Sequence, residues 1–326
     1  MTESGFQGEK LHVTNAALHH LRGYLALFVL PLLTPVQAQT QASCQFTTFS
    51  RIFTIPGGTR FLVPRGVNDY STVVGDAQDN TDFSVRGFTR SSGGGITYYM
   101  HSSNGTPGNT TFTDRTNGGV NIGVADSSTY TYLASASASG TPFTLQGSTF
   151  TPLTMTIAGT TYNKFTVWGM NRWGTSVGAF NDSSGKMHGF KRYSDGKGIA
   201  LDYPGAVETV AVSINDNGTI VGWYSNHLPP NEWRHGFIYS NGKWATLDYS
   251  STQQTSLSGI SNANLIVGNT IKGTNETGSF LYQSGTFKNI VLSNSGGTVT
   301  SVRGESTGKG LITGFAGYTG FVATCH

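Results

Sequence analysis

Charge is what this sequence has least of. Only 11% of its 326 residues are charged, 20 Lys and Arg against 17 Asp and Glu. They are spread without runs, so the net +3 forms no basic stripe, and nucleic acid is excluded as the expected partner. Nowhere after residue 40 do apolar residues recur at helical spacing over a long stretch, which excludes a helical bundle or a doubly wound α/β fold. There are two cysteines, Cys44 and Cys325, too few for a zinc site of thiolates. No phosphate loop, nucleophile motif or zinc motif is present, and no cofactor is expected. Long apolar runs are also missing, with one exception near the start. Arg22 and His19-His20 precede the apolar stretch Gly23–Leu33, and Val36-Gln37-Ala38 follows as a small-x-Ala site. This is the layout of a secretory signal over residues 1–38, and the run is too short to span a bilayer comfortably. An uncleaved anchor is the alternative. With cleavage, residues 39–326 form a single exported domain that keeps the +3 charge and needs no membrane contact; it is expected to be a monomer.

What the chain has instead is glycine, 44 residues of it, and 12% aromatics. Short apolar runs punctuated by Gly and Asn indicate an all-β protein. Residues 213–249 read as four short strands: one ending at Ile214-Asn215, then Thr219–Tyr224, Gly236–Ser240 and Lys243–Tyr249. Asn217-Gly218 joins the first two and Asn241-Gly242 the last two, because Asn-Gly supplies the positive φ angles of tight hairpins. A single such meander has bare edges and one buried face, so it must stack beside copies of itself. The copies are marked by Val74-Gly75, Val177-Gly178, Val221-Gly222 and Val267-Gly268, and more weakly by Ile122-Gly123 and Thr313-Gly314. Their glycines are separated by 48, 55, 44, 46 and 46 residues. Asn stands seven residues before the Gly at Asn68, Asn171 and Asn215. Each copy then has a Phe on a third strand: Phe88, Phe143, Phe190, Phe237, Phe280 and Phe321. A period in the forties with four strands per unit predicts a six-bladed β-propeller of four-stranded antiparallel blades.

The sixth copy supplies three strands and stops at Cys325-His326. Its fourth strand is expected from the other end of the chain, over residues 45–55, because Phe53–Gly58 matches Leu201–Ala206 at the end of a fourth strand. This 1+3 clasp in the last blade hides two edges that would otherwise be open. Cys44 and Cys325 then fall where Ser240-Asn241-Gly242 makes the third-to-fourth-strand turn of blade four. In an exported protein the pair predicts a disulfide that replaces the missing turn; two free thiols are the alternative.

The signal layout, the Asn-x-x-Gly-x-x-Val-Gly element (Asn215–Gly222), the His-x-Phe elements His188-Gly189-Phe190 and His235-Gly236-Phe237, and the Asp-Tyr-Pro-Gly-Ala turn (Asp202–Ala206) together resemble the extracellular repeat family named for its His-Ala-Phe signature. The resemblance is clearest from residue 168 to 290; Gly replaces the signature Ala, and four blades lack the His. It implies an exported repeat protein of undefined activity and brings no catalytic residues.

Tight first-to-second and third-to-fourth connections leave one face of the disc plain. Longer loops on the other face are where function is expected. Loop carboxylates Asp79, Asp82, Asp126, Asp182, Glu232 and Glu276 invite a converging pair for glycoside hydrolysis, although solvated acids on polar loops are the commoner case. Glu208 precedes the channel-lining strand of blade four, and Arg60 and Lys164 take similar places in other blades, which suggests a charged channel mouth. Tyr224, His227 and Trp233 lie in or beside the loop with Pro229-Pro230, as aromatics that stack on sugars or partner side chains. Trp168, Trp173 and Trp244 are expected to pack within or between blades. His188 and His235 read as structural, Asn181–Gly185 lacks the distal Glu of a calcium loop, and Asn215–Gly218 reads as a hairpin turn. The preferred function is an exported non-catalytic binding or scaffold module for a glycan or protein. The alternative is a carbohydrate-active hydrolase or lyase on the looped face.

Overall fold

A computed structural model describes residues 40–103, 106–125, 140–228, 231–293 and 300–326. The proposed leader 1–38, Asp126, the segment Ser135–Ser139 and Pro229-Pro230 lie outside the described residues. The described chain is all strand and turn, arranged as six four-stranded antiparallel blades. Blade one is Gly58–Val67, Val73–Asp79, Val85–Arg90 and Ile96–Tyr99; blade two is Thr110–Arg115, Asn121–Ala125, Thr141–Gln146 and Thr149–Pro152. Blade three is Thr166–Met170, Ser176–Asn181, Met187–Arg192 and Gly198–Leu201, and blade four is Glu208–Ile214, Ile220–Ser225, Arg234–Ser240 and Lys243–Thr246. Blade five is Gln254–Ile260, Ile266–Lys272, Asn275–Gln283 and Thr286–Ile290. Blade six takes Ser301–Glu305, Leu311–Ala316 and Thr319–Cys325 from the C-terminal end and Cys44–Ser50 from the N-terminal end.

The Val-Gly signature follows from one irregularity. Every first strand carries a β-bulge: the strand register slips across Arg65, Thr113, Trp168, Val212, Ser258 and Arg303. Each slip sits opposite the signature glycine. A Cβ on Gly75, Gly178 or Gly314 would strike a first-strand carbonyl on one side and the ring of Phe88, Phe190 or Phe321 on the other. Only glycine leaves room for both. The third-strand Phe rings are buried in all six blades, and in blades one to five the Val or Ile before the signature glycine packs into the core of the next blade. Among the described residues each neighbouring pair of blades shares a core, including Phe49 and Val322 of blade six against Leu62 and Phe88 of blade one, and a seventh apolar cluster of Ala179, Val210 and Trp223 lies between blades three and four.

The clasp forms, in the expected register: Gln45 faces Thr324 and Thr48 faces Phe321. Its boundary is corrected. The outer strand ends at Ser50, and Ile52–Ile55 turns away to pair with the start of blade one's first strand. Arg51 makes the corner, its guanidinium donating to the carbonyls of Leu62 and Gly317. Upstream, Thr40–Gln41 adds a parallel pairing to Lys288-Asn289 of blade five. Cys44 and Cys325 are directly opposed and joined by a disulfide, with Cα atoms 4.1 Å apart. The neighbouring Ser43 and His326 exchange both backbone hydrogen bonds (2.9 and 3.1 Å), so the cysteines occupy the closer, non-hydrogen-bonded kind of pair.

Two further expectations are adjusted. Asn241-Gly242 has both φ values positive, 51° and 76°, as a two-residue primed hairpin requires, but at Asn217-Gly218 only Gly218 is positive (82°). There the loop is a longer turn opened by Asn215, whose Oδ1 accepts the N–H groups of Asn217 (3.1 Å) and Thr219 (2.9 Å). The longer connection between blades two and three is no plain loop either; Met155–Ile157 and Thr160–Tyr162 form a hairpin.

Candidate functional site: the axial channel

The bulges aim one side chain per blade at the propeller axis. Arg65, Thr113, Trp168, Val212, Ser258 and Arg303 all line a central cavity of about 90 Å³. Its two sides differ. Blades three to five present Trp168, Trp223, Val210, Val212 and Leu257, an aromatic and aliphatic wall. Blades one and six present Arg65, whose Nε donates to buried Asp76, and Arg303, which grips Glu276 with two bonds of 3.0 and 3.1 Å. Each cation is thus paired with a carboxylate behind the lining, Asp76 on blade one's second strand and Glu276 on blade five's third.

One residue further along the bulged strands is the waist, occupied by Gly66, Asp114, Gly169, Ser213, Gly259 and Gly304. The strands converge here: a Cβ on Gly66 would lie 2.8 Å from the Asp114 Cα, and one on Gly259 2.7 Å from the Glu305 Cβ. Asp114 and Glu305 line both the main cavity and a smaller space of about 10 Å³ beyond it, room for one water at most. Burial pushes the Asp114 carboxyl up to about 6, against the N–H groups of Arg115 and Met170 that bond its charged form. Burial pushes Glu305 well above the usual carboxylate range. Several polar atoms of the channel wall are buried without a hydrogen-bond partner in the protein: Trp168 Nε1, Arg303 Nε and both Glu305 oxygens.

The residues singled out in the sequence are only partly brought together. Glu208 opens the first strand of blade four; burial and the charge of Glu232 push its carboxyl up, and Arg234 opposes them. Arg234 also lies over the ring of Trp223, 4.2 Å from its centroid. Lys164 is exposed and donates to Thr141 Oγ1 (3.1 Å). Arg60 is one residue out of phase with these two, and its guanidinium pairs with Asp79 and covers the ring of Tyr98 at 4.3 Å. His227 and Trp233 are exposed, and Ser225 Oγ accepts the backbone N–H of each (3.2 Å). Tyr224 is a correction: it is buried, stacked on Tyr203 with ring centroids 3.6 Å apart, and offers no surface. Trp173 is the converse correction, 60% exposed under Arg172 and bonded through Nε1 to the Asp216 carbonyl.

Among the described residues the loop carboxylates do not converge as a free pair. Asp79 is buried between Arg60 and Arg86, which hold its carboxyl below the usual range, with the Arg60 hydrogen bond the main cause. Glu232 pairs with Arg234 and Glu276 with Arg303. Asp82 accepts the Ser84 N–H (2.9 Å), and Asp182 accepts from Ser184, Lys186 and His188. His188 and His235 each bond an aspartate 2.7 Å away, Asp202 and Asp248. Among the described residues no group of three or more His, Cys, Asp or Glu is placed to hold a metal ion.

Of the six bulge residues that line the channel only Trp168 was named from the sequence, and then as a packing residue, although a signal existed. They stand ten residues before the signature glycine in five blades and eleven before it in blade six, where the turn is one residue longer.

No family model matches the chain, and no curated protein matches its sequence. Among solved structures it is similar to virginiamycin B lyase from Staphylococcus aureus (9% identity, TM-score 0.43), over 86% of this chain and 99% of that one. It is also similar to a streptogramin B lyase structure (10% identity, TM-score 0.41), over 86% and 98%. At such identity the likeness bears on fold alone; the propeller stands on the strand pairing described above.

Proposed function

We propose that this protein is an exported binding module without covalent chemistry of its own, and that the axial channel is where its extracellular ligand is seated. The observation that carries this is the set of orphaned polar atoms, Trp168 Nε1, Arg303 Nε and the Glu305 oxygens, around a cavity whose other wall is Trp168, Trp223 and Leu257. Buried donors and acceptors are costly unless something pairs with them. An apolar ring face opposite hydrogen-bonding groups suits a neutral polyhydroxylated ring, so a glycan end is the ligand class. The second reading, a carbohydrate-active hydrolase or lyase on the looped face, is disfavoured because each described loop carboxylate is engaged by an Arg, a His or a backbone N–H. The disulfide is consistent with an extracellular location. Membership of the His-Ala-Phe repeat family and removal of residues 1–38 belong to the same proposal. The test is a glycan array with residues 39–326, followed by titration of any hit. Trp168→Ala should weaken binding at least tenfold. Binding insensitive to Trp168→Ala, or bond cleavage in a hit glycan, would overturn the proposal.

A further inference from the structure

The internal repeat exposes a second site, in blade five, by what is missing there. Blades three and four carry the same layered cluster beside their second and third strands. In blade four Tyr203 stacks on Tyr224 (3.6 Å, 2° between planes), Tyr224 stacks on His235 (5.1 Å), and His235 bonds Asp248. In blade three Tyr162 meets Phe180 (4.7 Å), Phe180 stacks on His188 (5.2 Å), and His188 bonds Asp202. The strand registers define the equivalents: Phe180 faces His188, Tyr224 faces His235, and in blade five Thr270 faces Gly278. Tyr249 takes the place of Tyr203, with its hydroxyl bonded to Asn289 (2.6 Å) as that of Tyr203 is bonded to Thr246 (2.7 Å). Val291 takes the place of Asp248. In blade five, therefore, the inner ring, the imidazole and the carboxylate are replaced by Thr270, Gly278 and Val291.

Their volume is not reclaimed. A cavity of about 220 Å³ lies there, lined by Tyr249, Thr270, Gly278, Asn289 and Val291, with Val291 46% exposed at its edge. No charged side chain lines it, and its polar groups are the hydroxyls of Tyr249, Thr270, Thr277 and Ser279 and the amides of Gln253 and Asn289. Blade four shows what such a space accepts. Its occupant is the phenol ring of Tyr224, packed on a tyrosine and bonded through its hydroxyl to Thr246 (3.0 Å), the counterpart of Asn289. We propose that the blade-five cavity binds a neutral phenolic ring, which takes the place of the Tyr224 ring beside Tyr249 and sets its hydroxyl against Asn289. The absence of charge disfavours anions and cations, and the single-ring space with a polar end disfavours a wholly apolar ligand.

A phenol can come as a free molecule or as a tyrosine side chain of a partner. The test is titration of residues 39–326 with p-cresol, toluene, methyl glucoside and N-acetyl-tyrosinamide, followed by amide chemical shifts around Thr270 and Gly278. Saturable binding of p-cresol at millimolar concentration is expected, at least tenfold tighter than toluene. Thr270→Tyr rebuilds the blade-four filling and should abolish p-cresol binding with an unchanged or higher melting temperature; Gly278→His is the second filling variant, should Thr270→Tyr fold poorly. N-acetyl-tyrosinamide competing with p-cresol identifies a presented tyrosine as the source, and its exclusion identifies a free phenol. Failure of p-cresol to bind, preference for the glucoside, or binding undisturbed by both filling variants overturns the proposal. Trp168→Ala in the axial channel should leave this site unaffected, so its fate is separate from that of the channel.

Discussion

Asp114 is the one carboxylate at a waist otherwise built of Gly66, Gly169, Ser213, Gly259 and Gly304. Its place is structural as well as electrostatic, since its Oδ2 accepts the Met170 N–H (3.2 Å) and so links blade two to blade three. Because burial raises its folded-state pKa from 3.8 to about 6, the folded protein holds this proton more tightly than the unfolded chain does. The associated stability is fully present below pH 3.8 and is lost as the pH rises through about 6. Asp114 is only half-buried by solvent exposure, so the effect is about 1–3 kcal/mol. Asp114→Asn should remove that slope: urea unfolding at pH 4.5 and 7.5 should show the variant gaining on the natural protein at the higher pH. Parallel pH profiles for the two proteins would refute the assignment.

At the scale of the element, the first-to-second-strand turns matter most. Asn215 is fully buried; it caps its own turn through Oδ1 and donates through Nδ2 to the Ser261 carbonyl of the next blade (3.0 Å). Asn171 repeats the pattern toward Asn215 (3.2 Å), Asp216 and Asn262 bond across the next junction, and the Asp69 carboxylate takes Gly308 and Lys309 N–H groups back from blade six. Asn215→Ala should cost about 2–4 kcal/mol, because it strands buried backbone N–H groups as well as removing bonds. Chemical denaturation checks this, and a loss below 1 kcal/mol would refute it. These turns also mark what could be read from sequence. Seven residues from Asn to Gly is a local spacing, so blade number, phase and clasp were legible. The bulge was not read, because its residue is Arg, Thr, Trp, Val, Ser or Arg, and only position unites them. Tyr224 misled for a related reason: strand alternation does not tell which loop-end aromatic another ring will cover, and Tyr203 comes from the preceding crossing. The turn of Ile52–Ile55 into blade one was hidden by its likeness to Leu201–Ala206, while Arg51 at the corner carries the information instead.

For the whole molecule, the ring is closed by a core of the same kind as the others, with Phe49 and Val322 packed on blade one, and is then locked by Cys44–Cys325. The disulfide closes a loop with a sequence separation of 281, so reduction, or Cys44→Ser with Cys325→Ser, should lower stability by about 3–5 kcal/mol without changing the fold. Thermal melts with and without reductant measure this, and superimposable melts would refute it. The lock also decides how the molecule carries load. Tension entering through the strand Thr40–Gln41 and leaving through His326 passes from Cys44 to Cys325 by a single covalent step and bypasses all six blades. Once the bond is reduced, the same tension falls on the end of the ladder between Cys44–Ser50 and Thr319–Cys325, one residue pair at a time. In its oxidised form the disc is therefore a closed link, inextensible between its ends, and it becomes a zipper only in a reducing environment.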